Sequence, residues 1–121
     1  MRRILIPNAS HPITIVPLSR PVTVTVAGAI VARSDNALLL KEAAYPPAVY
    51  IPRTDANMEL LERTPHSSYC PYKGEASYYS IPLGEERSVN AVWTYEDPHP
   101  AVAEIRDYLA FYPDRVDAIA Y

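Results

Sequence analysis

Thirteen prolines distributed along 121 residues constrain this chain more than any other feature. Proline fixes one backbone angle and has no N–H to donate, so it interrupts long helices but suits sheet edges, turns and the joints between short strands. The chain is therefore expected to be mainly β, a β-rich α+β fold in which helix is scarce.

Hydrophobic periodicity places the strands. Valines at 22, 24 and 26 alternate with Thr23 and Thr25, the period of a strand with one buried face. Gly28 allows a bend, after which Ala29 to Arg33 and Ala37 to Glu42, separated by Ser34-Asp35-Asn36, continue an antiparallel meander. Ala48 to Ile51 reads as a short strand closed by Pro52, Asp55 as the cap of one turn over Ala56 to Met58, and Glu59 to Arg63 as another short strand. Glu75 to Ile81 has a strand's aromatic, alternating character, and Gly84 to Arg87 reads as a polar hairpin loop. Val89, Ala91, Trp93 and Tyr95 occupy alternate positions and are expected to share a core face. Only near 100–108 does the spacing turn helical, with Pro100 opening a short helix on which Ala101, Val102, Ile105 and Leu109 recur. Residues 1–20 read as an extended arm or edge strand, and Val116 to Tyr121 as a final edge strand.

Length fits a single domain over 1–121, large enough to bury about two-thirds of its unfolded surface. One cysteine excludes an intramolecular disulfide and, with three histidines, leaves too few soft ligands for a zinc site of paired cysteines, so neither metal nor cofactor is expected. In MRRILIPNAS the apolar run is broken by Pro7 and Asn8, too short for a signal peptide or a membrane span, and the expected location is cytoplasmic. Fourteen acidic against eleven basic residues, with no long basic run, argue against a nucleic-acid partner.

Chemistry concentrates in HSSYCPYKGEASYY, residues 66–79, which holds the only cysteine, a lysine, one of three glycines and four of ten tyrosines. Pro71 and Gly74 mark a tight, stiff turn that presents Lys73. Cys70, with Lys73 and His66 nearby in sequence, is a candidate activated thiol, and Lys73 a candidate imine-forming amine; the plainer readings are a small buried hydrophobe and a salt bridge to Glu42 or Asp55. Arg53 is placed to pair with Asp55 or Glu42, or to face an anion through its planar fork of donors.

Taken in order, the Val-rich strand, Asp35 with Ala37, Glu42, Tyr50-Ile51-Pro52-Arg53, Asp55, Cys70-Pro71-Tyr72-Lys73-Gly74, Ala76, Tyr78-Tyr79, Trp93 with Tyr95, Pro98 and Ala110-Phe111-Tyr112 resemble the DUF427 domain over roughly residues 22 to 116. The resemblance implies a β-tent-like architecture, two small antiparallel sheets packed at a steep angle. Several relatives of that architecture are pinned by zinc on paired cysteines, which this chain lacks, so if the architecture is shared its sheets are held by packing alone, in keeping with a 49% apolar composition. The family also carries a nucleotidyltransferase label; no Asp-x-Asp is present and the few glycines are scattered, so the residues lend that label little support. The leading expectation is a pocket between the sheets, walled by Tyr50, Tyr78 and Trp93, in which Lys73 and Arg53 face a small polar or anionic ligand and Asp55 or Glu42 orients them. An enzyme using Lys73 or Cys70 is the second reading. A protein-interaction or homodimerisation module built on the arm and terminal edge strands is the third.

Overall fold

A computed structural model describes residues 2–121. Ten strands run in chain order: β1 (Ile13–Pro17), β2 (Val22–Val26), β3 (Ala29–Ser34), β4 (Leu38–Glu42), β5 (Ala48–Pro52), β6 (Glu62–Cys70), β7 (Gly74–Ser80), β8 (Val92–Thr94), β9 (Tyr108–Phe111) and β10 (Ala118–Ala120). They form two antiparallel sheets, one of seven strands ordered β1-β4-β5-β9-β8-β7-β6 and one of three ordered β10-β2-β3. All helical segments among the described residues are short 3-10 turns. None is long and apolar enough to cross a membrane.

The alternation at 22–26 works as expected, since all three valines of β2 are buried and both threonines half-buried. The meander, however, divides: β2 and β3 belong to the small sheet and β4 to the large one. Their faces enclose the main core, in which Val22, Val24 and Val31 meet Ile51, Val92, Leu109 and Phe111. A second core lies on the other side of β4, β5, β7 and β9, where Leu40, Tyr50, Ala76, Tyr78 and Ala110 pack with Tyr95, Val102 and Ile105. Apolar area on both faces of the large sheet is thus removed from water, the main favourable contribution to folding.

Several elements differ from the sequence expectations, each for a physical reason. The expected strand at 59–63 is a 3-10 turn (Met58–Leu60) running into the nine-residue β6. As an edge strand β6 leaves most side chains exposed, so no apolar alternation reveals it. The expected helix is a pair of 3-10 turns over Pro100–Ile105, kinked at Val102, and Leu109 instead sits at the centre of β9. Residues 84–87 lie within a 3-10 segment, Pro82–Ser88, rather than a hairpin loop. Val89 is half exposed outside β8, and Ala91 and Val92 join the main core while Trp93 and Tyr95 pack with the second. Asn90, at φ +52°, turns the chain there and breaks the alternation. β1 and β10 are edge strands, as the termini suggested.

Candidate functional site

The turn singled out in the sequence closes the β6–β7 hairpin. Cys70 pairs with Gly74 across it, and the Lys73 N–H donates to the Cys70 carbonyl at 3.1 Å. Gly74 has φ +114°, a conformation that side chains resist, and a Cβ there would sit 3.4 Å from the Asp97 carbonyl oxygen. The 97–99 segment packs against the turn from that side, with the His99 N–H donating to the Lys73 carbonyl at 2.9 Å. Held this way, the Lys73 side chain, 12% exposed, runs to the end of β4, where Nζ donates to Glu42 Oε1.

The other Glu42 oxygen, Oε2, bonds to His11 Nε2 at 2.7 Å. Sequence reasoning missed His11, because its approach depends on the arm lying across the hairpin. Asn8 Oδ1 accepts from the backbone N–H groups of Ser10 and His11, shaping the turn that delivers the ring. Leu5 N–H donates to the Pro71 carbonyl at 2.9 Å, and Arg2 pairs with Glu75 at 2.5 Å. The imidazole lies flat on Tyr72, ring centres 4.0 Å apart. Burial works against the Glu42 charge, but the hydrogen bonds from Lys73 and His11 outweigh it and hold the carboxyl below its ordinary range.

Lys73 and Glu42 stand in the wall of a cavity of about 940 Å³, and Tyr50, Tyr78 and Trp93 line it as well. Trp93 Nε1–H donates to the Tyr50 hydroxyl at 3.1 Å, with the rings nearly perpendicular. Tyr112 leans over Trp93 at 4.5 Å between ring centres. The Tyr78 hydroxyl shares a hydrogen bond of 2.8 Å with Ser68 Oγ. Tyr95 and Tyr112 also line the cavity and were not among the expected residues. Tyr95 was detectable, since it shares the alternation of Trp93; Tyr112 was not, because it follows the four-residue β9, too short to show an alternation that would orient it. Burial raises the phenols of Tyr50 and Tyr95 well above the ordinary tyrosine value, and burial with a 3.4 Å hydrogen bond to the Tyr78 hydroxyl pushes Tyr112 up to about 12. At neutral pH these hydroxyls keep their protons and can both donate and accept.

The opening follows from the strand ladder. β5 and β9 pair only at Ile51–Leu109 and Pro52–Tyr108. Past those pairs Tyr112 N–H turns to the Ala91 carbonyl at 2.9 Å, and Pro46, Pro47 and Pro113 near the open end have no N–H to extend the ladder. Residues 48–50 and 111–113 line the cavity beside side chains of both cores, including Val24 and Ile119 of the small sheet.

The remaining expected site residues lie elsewhere. Arg53, three positions beyond Tyr50, projects to the Tyr79 side of the sheet, where Nη1 donates to the Tyr79 hydroxyl at 3.0 Å and Nη2 approaches Glu96 at 3.6 Å. Tyr78 and Tyr79, adjacent in β7, pack in different cores, so an arginine beside Tyr79 is on the wrong face to join Lys73. Asp55 accepts from Ser34 Oγ at 2.5 Å and so ties the exit of β5 to β3. It caps no turn, since the Met58–Leu60 turn begins at Asn57. Cys70 is half-buried, and His66 is exposed with its ring against Tyr78; no hydrogen bond joins the two. No three His, Cys, Asp or Glu side chains converge as metal ligands among the described residues.

Fold and cavity together define a two-sheet antiparallel β protein with an aromatic, hydroxyl-lined cleft beside a lysine–glutamate pair. The chain belongs to the DUF427 family, a domain of unknown function, whose family model matches residues 14–121. The match covers both sheets in full apart from Ile13, whereas the arm that supplies His11 precedes it. A search of curated proteins finds no match.

Proposed function

We propose that this protein binds a small polar or anionic molecule in the cavity, with Lys73 and Glu42 meeting its polar end and Trp93, Tyr50 and Tyr78 its flat or apolar part. The observation that carries the reading is the position of the Lys73–Glu42 pair, two groups 31 residues apart brought together in the wall of a ring-lined hollow. A poorly solvated ion pair contributes little net stability, because desolvation offsets much of its attraction. Its place among aromatic walls is what a ligand site needs: apolar surface with a few convergent polar groups.

Ligand-observed NMR with a soluble fragment library tests the proposal on the natural chain and on Lys73→Ala and Trp93→Ala, with circular dichroism as the check of folding. Fragments that bind the natural chain are expected to lose binding to both variants while the strand signal persists. Fragments that bind folded variants undiminished would place the site elsewhere. Loss of fold in both variants would make these residues structural.

A further inference from the structure

Charge cancellation and the hydrogen-bond inventory narrow the ligand class. Resting on the binding reading above, we infer that the cavity takes an uncharged ring bearing hydroxyl groups, a sugar-like polyol rather than a carboxylate, phosphate or amine. Three charged residues line the cavity, and each has its charge answered nearby. Lys73 and Glu42 answer each other, and His11 Nε2 shares the carboxylate from outside the cavity lining at 2.7 Å. Asp117 accepts from Arg87 Nη1 at 2.9 Å and from the Ala27 N–H at 2.7 Å. Arg53, the second cation that would favour an anion, lies on the far side of the sheet.

An anion reaching Lys73 meets the Glu42 carboxylate and has to draw the ammonium away from it. A cation reaching Glu42 meets Lys73. The first leaves Glu42 with His11 as its sole partner and the second leaves the Lys73 ammonium with none, a cost that an uncharged ligand avoids.

The groups left over are donors on Lys73 and hydroxyls that both donate and accept. Lys73 has two N–H protons beyond the one given to Glu42. Tyr95, 5% exposed, makes no hydrogen bond through its hydroxyl among the described residues. The Tyr50 hydroxyl accepts from Trp93, while its own proton has no acceptor there. An ammonium only donates and would meet the spare Lys73 N–H groups, while a carboxylate or phosphate only accepts and leaves the hydroxyl lone pairs unused. Hydroxyls do both, and the C–H face of a saturated ring packs on Trp93 and Tyr112, which lean together at 4.5 Å.

The chain has one tryptophan, so its fluorescence reports on the cavity alone. Two matched trios are titrated into the full chain: methyl glucoside, glucuronate and glucosamine, then benzyl alcohol, benzoate and benzylamine. The neutral member of a trio is expected to bind at least about tenfold more tightly than either charged member, with the sugar trio ahead. Glu42→Gln, which releases Lys73, is expected to raise affinity for glucuronate about tenfold, and Lys73→Gln to do the same for glucosamine. The two variants mirror each other, so either one that folds by circular dichroism suffices. A charged member that equals or exceeds its neutral counterpart on the natural chain overturns the inference and leaves the binding reading standing. If no member of either trio binds, both are overturned.

Discussion

At the scale of single residues, backbone conformation decides where the one cavity-facing ammonium group points. Gly74 combines φ +114° with a close approach of the Asp97–His99 backbone, so the turn keeps its shape only if this position lacks a side chain. Gly74→Ala is expected to lower stability by about 1–3 kcal/mol in urea unfolding and to loosen the Lys73–Glu42 contact, read as a changed Lys73 side-chain signal in NMR. The need for glycine was visible in CPYKG; the partner that the turn serves was not. Arg53 shows the opposite case. Its planar donors suggested a ligand contact, yet they hold Tyr79 and approach Glu96 on the other face of the sheet. The offset of three between Tyr50 and Arg53 was a warning, since residues an odd number apart along an extended chain face opposite ways.

At the scale of elements, the β2–β3 hairpin shows strain that a substitution can relieve. Its two turn residues, Ala27 and Gly28, both have positive φ, +52° and +79°, the pattern that favours Asn-Gly. Ala27 is the less suited of the two, and Asp117 steadies it by accepting its N–H. Ala27→Asn is expected to raise stability by about 0.5–1 kcal/mol in thermal unfolding without moving the cavity residues. Elements with a buried stripe were readable in the sequence, β2 most clearly, because burial of one face imposes a period of two. β6 and β9 were not: an exposed edge strand carries no apolar stripe, and a four-residue strand buried on both faces has no alternation to show.

At the scale of the whole molecule, two carboxylates link stability to pH. Burial opposes the Glu42 charge but hydrogen bonds from Lys73 and His11 lower its value overall, and Arg63 lowers that of Glu96 through its hydrogen bonds. For both, the unfolded chain takes up a proton at a higher pH than the folded one. Their contribution is therefore complete above about pH 4.5, falls as pH drops through that value, and is gone below the lowered folded values. Urea melts from neutral pH downward should show this loss, and His11→Ala should make it shallower by returning Glu42 toward its ordinary value. By itself the sequence determined a proline-punctuated, mainly β chain, the stiff turn before Gly74 and the faces of individual strands, since these follow from local sterics and burial within a few residues. Only the tertiary structure decided that β9 inserts between β5 and β8, that the β5–β9 ladder stops after two pairs, and that Glu42 meets both Lys73 and His11. Alternation fixes which way a side chain faces, but not which strand lies beside it; that choice depends on burying both sheets' apolar faces together, a property of the whole chain.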